Sequence, residues 1–181
     1  MNEDLFTADV LAQIPILTGL SPDECRQLQQ AARLVAFAPG ETIIEQNGTS
    51  QALWILLEGN CEVVRAAVNG KKTAKPVVLA TLEPHSNFGE MSFFHSAPHS
   101  AHVRAQGAVK LLCLERASFD KLAVKHPAVA SKLAINTVAS LADRVRRMDD
   151  WVADLVSQKA LAEKVPELVR LREQLFDGWK L

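Results

Sequence analysis

Between positions 33 and 115 the sequence divides into seven short runs rich in β-branched and aliphatic residues: 33–37, 42–46, 52–58, 61–68, 76–82, 101–106 and 109–115. Turn-forming pairs separate them: Pro39-Gly40, Asn47-Gly48, Gly59-Asn60, Asn69-Gly70 and Gln106-Gly107. Glycine and asparagine reach left-handed backbone conformations and proline presets one dihedral, so such pairs reverse a chain within a few residues. The stretch Ala101-His102-Val103-Arg104-Ala105-Gln106 alternates small or apolar with polar side chains, which turns one face inward and one toward water. Seven or eight strands at this spacing predict a β-sandwich, a jelly roll or a barrel.

Helical patterns flank the strands. Residues 4–13 suit a short helix with Leu5, Val10 and Leu11 as its apolar contacts. Ser21-Pro22-Asp23-Glu24 is a helix start: Ser21 caps, Pro22 takes the first helical position, and Glu24 completes a capping box. That helix is expected to reach about residue 32 with Leu28 on its buried side. After Glu115 a helix over 117–125 stops at His126-Pro127, and a long helix follows. On it Val138, Leu141, Val145, Met148, Val152 and Leu155 are spaced by three and four in alternation, with valine at each a position and Leu or Met at each d. This is the preference of a parallel two-stranded coiled coil, and it puts Arg144 at g and Asp149 at the following e, where they pair across a dimer. The alternative is that the stripe packs on its own barrel. Residues 158–181 hold a further helix, with Leu168, Leu171, Leu175 and Phe176 on one side. They lack the paired helices and the Arg/Asn/Gln-rich recognition helix of a DNA-binding module, so no DNA partner is expected.

Bulk properties narrow the class. At 48% apolar, a chain of 181 residues can bury a sizeable core. A formal charge of −1 gives no general attraction to nucleic acid or to anionic membrane. Cys25, Cys61 and Cys113 are far apart, with no CxxC, so buried reduced thiols are expected rather than a disulfide or a metal site. The start, Met-Asn-Glu-Asp, has no basic-then-apolar order, and no apolar run approaches the roughly 20 residues that span a bilayer. A cytoplasmic chain with no membrane partner is the expectation.

The chemistry concentrates in Phe88-Gly89-Glu90-Met91-Ser92-Phe93-Phe94-His95-Ser96-Ala97-Pro98-His99-Ser100-Ala101. It reads as a loop, one helical turn, a bend at Pro98 and the start of a strand. Glycine lets a backbone approach a ligand closely, and the helix start behind it offers free N–H groups to an anion. Glu90 adds a carboxylate able to accept from sugar hydroxyls. The segment resembles the phosphate-binding cassette of the cyclic nucleotide-binding domain family, whose pattern is Phe-Gly-Glu, a short helix, then Pro-Arg-(Ser/Thr/Ala)-Ala. The segments Pro39-Gly40-Glu41-Thr42-Ile43-Ile44-Glu45-Gln46 and Leu53-Trp54-Ile55-Leu56-Leu57-Glu58-Gly59 resemble the strands that precede the cassette in that family. Asn47 stands where a glycine is usual, a mild change because asparagine tolerates left-handed geometry.

The resemblance covers about residues 14–150. It implies a mainly β fold with flanking helices: a β-roll, that is, a jelly-roll-like barrel of two sheets, followed by a long C-terminal dimerisation helix. The parts would be an N-terminal helix at 1–13, the β-roll at 14–126, the long helix at 127–157 with a dimer contact over 134–156, and a helical extension at 158–181. By resemblance Glu90 would hold the ribose 2′-hydroxyl, and Phe88, Gly89, Met91, Ser92, Pro98, His99, Ser100 and Ala101 would complete a site for cAMP or cGMP, with no other cofactor. Asn136, Thr137, Ser140 and Arg144 on the long helix are candidates for base contact.

The family's arginine is His99 here. Arginine presents a permanently charged planar fork that histidine lacks, and an unperturbed imidazole, with a pKa of about 6.5, is mostly neutral at pH 7. Losing a charge-assisted contact of roughly 1.5–3 kcal/mol weakens binding by about ten- to a hundredfold. Either His99 donates a single hydrogen bond and affinity rises as acid protonates it, or the pocket is a relic that binds no cyclic nucleotide. Bland readings stand beside the others: Glu90 as a helix-start carboxylate, Ser100 as a cap at a strand start. His85, His95, His99 and His102 match no zinc spacing and are expected in loops or at the surface. Arg144, Arg146 and Arg147 are interrupted by Asp143, Asp149 and Asp150, so a solvated helix face is expected rather than a nucleic-acid patch. No nucleophile–base set is present, so the chain is expected to be no enzyme but a regulatory sensor, or else a ligand-free dimerisation scaffold with the same fold.

Overall fold

The computed structural model describes residue 11, residues 13–66 and residues 76–157. Most of the helix expected at 4–13, the turn expected at Asn69-Gly70 and the helix expected within 158–181 lie outside the described residues.

All seven expected strand segments form, and an eighth joins them. One antiparallel sheet has the order β1 (Arg33–Phe37), β8 (Val109–Glu115), β3 (Ala52–Glu58), β6 (Asn87–Phe88). The other has the order β2 (Thr42–Ile44), β7 (His102–Ala105), β4 (Cys61–Arg65), β5 (Val77–Leu82). β2 stops at Ile44, earlier than expected, because Asn47 takes a left-handed conformation (φ 66°) and turns the chain away. The two-residue β6 carries no periodic signal of its own; its register, Trp54 opposite Phe88 and Ile55 opposite Asn87, is set by β3.

The core lies on both sides of the first sheet. Leu53, Ile55 and Leu57 of β3 face one cluster with Leu112, Leu114, Phe93 and the helical residues Leu28, Phe119, Leu122, Val129 and Leu133. Trp54 and Leu56 face the other, with Leu111, Cys113, Val103, Ala105 and Cys61 from both sheets. Period-two alternation therefore buries β3 on both faces. The outward side is open at β5, an edge strand where Val77, Val78 and Leu79 are exposed. Burial raises the thiols of Cys25 and Cys113, and pushes Cys61 up to about 11. All three cysteines are free and buried, as the strand-like apolar runs around Cys61 and Cys113 imply for those two.

Besides a 3₁₀ turn at Pro15–Leu17, four α-helices have both ends among the described residues: α1 (Pro22–Ala31), α2 (Glu90–Phe94), α3 (Arg116–Lys125) and α4 (Pro127–Ser157). The capping box at α1 is present, with the Glu24 amide donating to Ser21 Oγ at 3.3 Å and the Ser21 amide to Glu24 Oε2 at 2.7 Å. α3 ends at His126, and Pro127 opens α4. The start of α4 is latched to α1 and to the segment before it. Lys132 Nζ donates to Glu24 Oε2 at 2.7 Å and to the Gly19 carbonyl at 3.0 Å. Asn136 Nδ2 donates to the carbonyls of Ile16 and Thr18 at 3.1 and 2.8 Å. The hydrogen bond from Lys132 is the main cause of a Glu24 carboxyl held below its ordinary range. Residues up to Thr137 make one unit and those from Val138 a second. In the second, the a and d positions Val138, Val145 and Met148 are exposed. No helix among the described residues is long and apolar enough to cross a membrane.

Candidate functional site

The cassette begins where β6 ends. Gly89, in a left-handed conformation (φ 83°), precedes α2 and directs the chain inward from the sheet edge. A Cβ at this position would lie 2.4 Å from the Ala52 carbonyl oxygen and 3.2 Å from Trp54 Cδ1, so both the dihedral and the contact demand glycine. Phe88 is buried and stacks on Trp54, with ring centroids 6.3 Å apart and planes 10° apart. It anchors the segment from within the core.

This turn carries Glu90 under cover. The residue is only 4% exposed, and its Oε2 is sealed from solvent. Glu90 therefore departs from the ordinary helix-start carboxylate, which faces water. Met91 points out, while Ser92 and Phe93 are buried. The carbonyls at the end of α2 find donors beyond the helix: Gln51 Nε2 reaches Ser92 O at 3.1 Å and Arg116 Nη1 reaches Phe93 O at 2.9 Å. Such carbonyls have no partner inside a helix, and a cation at this end also suits the helix dipole. Phe93, Phe94 and Phe119 pack edge to face at centroid distances of 4.9, 5.2 and 5.7 Å, which ties α2 to α3.

The far end of the cassette differs from expectation. His99 lies in a loop, as expected, but it is not at the surface: it is 5% exposed. Its Nε2 lies 2.9 Å from Ser50 Oγ and its Nδ1 3.0 Å from Ser92 Oγ. Two backbone bonds fix its place: Asn47 N–H to His99 O at 2.8 Å and His99 N–H to Gly48 O at 2.9 Å. The left-handed Asn47 thus lets the loop after β2 run alongside the cassette. Pro98 and Ser100 are exposed and Ala101 is buried.

Ser50 and Gln51 belong to this site, although neither stands out in the sequence. The only local sign is a polar pair placed immediately before the apolar run 52–57. Two of the four base-contact candidates are engaged elsewhere. Asn136 holds the carbonyls of Ile16 and Thr18, and the fully buried Thr137 donates to Leu133 O at 2.7 Å. Among the described residues no group of three or more His, Cys, Asp or Glu side chains is placed to hold a metal ion. His102 instead accepts from the Gln46 amide at 3.2 Å and lies 3.6 Å from Glu45.

The chain is similar to known proteins. The chain is 23% identical over 166 residues to a CRP-like cAMP-activated global transcriptional regulator of Mycobacterium tuberculosis, covering 92% of this chain and 70% of that protein. It is 31% identical over 135 residues to the cyclic AMP receptor protein of Thermus thermophilus, covering 75% of this chain and 59% of the receptor. Among solved structures, a cyclic nucleotide-binding domain from Methylobacillus flagellatus superposes with a TM-score of 0.72 at 20% identity, over 83% of this chain and 82% of that one, a likeness of fold. Residues 34–126 match the model of the cyclic nucleotide-binding domain. The two sheets, the cassette and this match together place the chain in the cyclic nucleotide-binding domain family.

Proposed function

We propose that the chain is a non-catalytic regulatory module that senses a cyclic nucleotide of the cAMP or cGMP type, held at the cassette between Gly89 and Ala101. The observation that supports this most is the burial of Glu90 directly behind a glycine that no other residue can replace. Burying a carboxylate is costly unless donors meet it. Ribose hydroxyls are matching donors. The names of the two relatives, a cAMP-activated regulator and a cyclic AMP receptor, agree with a ligand of this class.

The signal would pass through packing. A ligand that prefers one placement of α2 over another shifts that equilibrium, and the Phe93–Phe94–Phe119 contact carries the shift to α3 and on to the C-terminal helices. In the same proposal two copies join through the exposed apolar positions of α4, Val138, Val145 and Met148. The module works in the cytoplasm.

Titration calorimetry with cAMP and cGMP, on wild type and on Glu90→Ala, tests the ligand. Wild type is expected to bind at least one of them, and the variant to lose about ten- to a hundredfold in affinity. Absence of heat and of any thermal shift with either nucleotide removes the sensing role. Sedimentation of wild type beside Val145→Asp tests the dimer, which the aspartate is expected to dissociate.

One observation favours a second reading, a ligand-free dimerisation scaffold: both ring nitrogens of His99 are already engaged within the protein. On that reading Glu90→Ala leaves the thermal response to nucleotide unchanged.

A further inference from the structure

His99 replaces a permanently charged fork with a chain of three groups. Ser92, the inner member, is buried; His99 is buried; Ser50, the outer member, is exposed. The segment 88–101 contains no lysine or arginine, so any positive charge it offers must come from a histidine.

Counting hydrogens shows what the chain can give. Each hydroxyl has one hydrogen to donate, and a neutral imidazole has one N–H. With the ring neutral, it donates to one serine and accepts from the other, so only one hydroxyl hydrogen is left over. With the ring hydrogen on Nδ1 it is that of Ser92, while Ser50 is held as a donor to Nε2. With the ring protonated, it donates to both serines, and both hydroxyl hydrogens are released. One proton taken from solvent therefore supplies a positive charge and a second donor at once, both suited to an anion.

The other titratable or charged groups on the surrounding elements are few. The loop after β2 has Glu45, and β7 has His102, 3.6 Å from Glu45, and Arg104, whose register partner on β4 is Glu62. α2 has the buried Glu90, and His95 follows at its C-cap. Both ring nitrogens of His99 meet hydroxyls rather than any of these.

Resting on the reading that the cassette binds a nucleotide, we propose that Ser50 is a phosphate-binding residue gated by His99. A cyclic phosphate binds with uptake of one proton by the imidazole, and Ser50 donates its released hydroxyl hydrogen to a phosphate oxygen. The corresponding nucleoside, which has no phosphate, binds with no proton uptake. The site thus prefers the cyclic nucleotide to the nucleoside more strongly in acid than in base.

The test is calorimetry of the full chain with adenosine 3′,5′-cyclic monophosphate and with adenosine, at about pH 6 and pH 8, in two buffers of different ionisation enthalpy. The buffer dependence of the heat gives the number of protons exchanged. At the higher pH close to one proton is expected per cyclic nucleotide and none per adenosine. The affinity for the cyclic nucleotide should be at least about tenfold greater at the lower pH. His99→Gln, which keeps a neutral hydrogen-bonding end toward Ser50, should abolish the uptake. Ser50→Ala, at the exposed end where folding is not at stake, should weaken cyclic nucleotide binding roughly tenfold. Cyclic nucleotide binding without proton uptake, or uptake that persists in His99→Gln, overturns this proposal and leaves the cassette reading standing. Absence of binding by both ligands at both pH values overturns the two together.

Discussion

Gly89 and His99 close the cassette at its two ends, one by steric exclusion and the other by hydrogen bonding. At Gly89 the restraint lies in the backbone: a left-handed dihedral and a carbonyl 2.4 Å from where a side chain would begin. Nothing but glycine satisfies it, and partial substitutes do not exist. At His99 the restraint lies in side chains, two hydroxyls around an imidazole, and other hydrogen-bonding residues fill such a place at graded cost. A turn defined by excluded volume keeps its residue, whereas one defined by donors and acceptors can exchange its chemistry while the path of the chain survives. This is the pattern seen here, where the glycine and glutamate of the family stand and the arginine does not.

Substitutions at the two ends sharpen that contrast. Gly89→Ala should have the largest effect. The strained dihedral and the overlap with Ala52 together cost about 3 kcal/mol or more, a fall in melting temperature on the order of 10 °C. A loss below about 1 kcal/mol in denaturant titration would show that the loop yields, and the contrast would fail. His99→Ala comes next, since it leaves the buried Ser92 hydroxyl without its ring partner and opens a void; a cost of about 2–4 kcal/mol is expected, with His99→Gln well below it. Equal losses from alanine and glutamine would mean that ring shape, not hydrogen bonding, holds this end.

His99→Arg probes affinity instead of folding. Restoring a permanent cation should strengthen cyclic nucleotide binding by about ten- to a hundredfold and flatten its pH dependence, measured by calorimetry across pH 6 to 8. An unchanged affinity would place the phosphate elsewhere. The smallest effect belongs to Ser100→Ala, an exposed residue, for which a stability change within about 0.5 kcal/mol is expected in thermal melts.

What was legible in the sequence was what is local. The turn pairs help to delimit seven of the eight strands, Ser21-Pro22-Asp23-Glu24 fixes a helix start, and Asn47 signals a left-handed residue; all three depend on neighbours within a few positions. β6 was not legible, because two residues carry no period and pair only through β3. Nor was the environment of His99. Ser50 lies 49 positions away and reaches the ring only once the loop after β2 lies along the cassette. The base-contact candidates show the same limit. Asn136 and Thr137 have suitable chemistry, but tertiary packing engages the first with the segment before α1 and the helix backbone engages the second. Residue type names what a side chain can do, and the fold decides which partner receives it.

The double burial of β3 has a further consequence. Trp54, beside which Gly89 turns, and Ile55, which lies among the helical residues, are consecutive on one strand and occupy opposite compartments. The strand is a party wall with no outdoor side. Pressure on one room is felt in the other, because the partition is too closely packed to absorb the push.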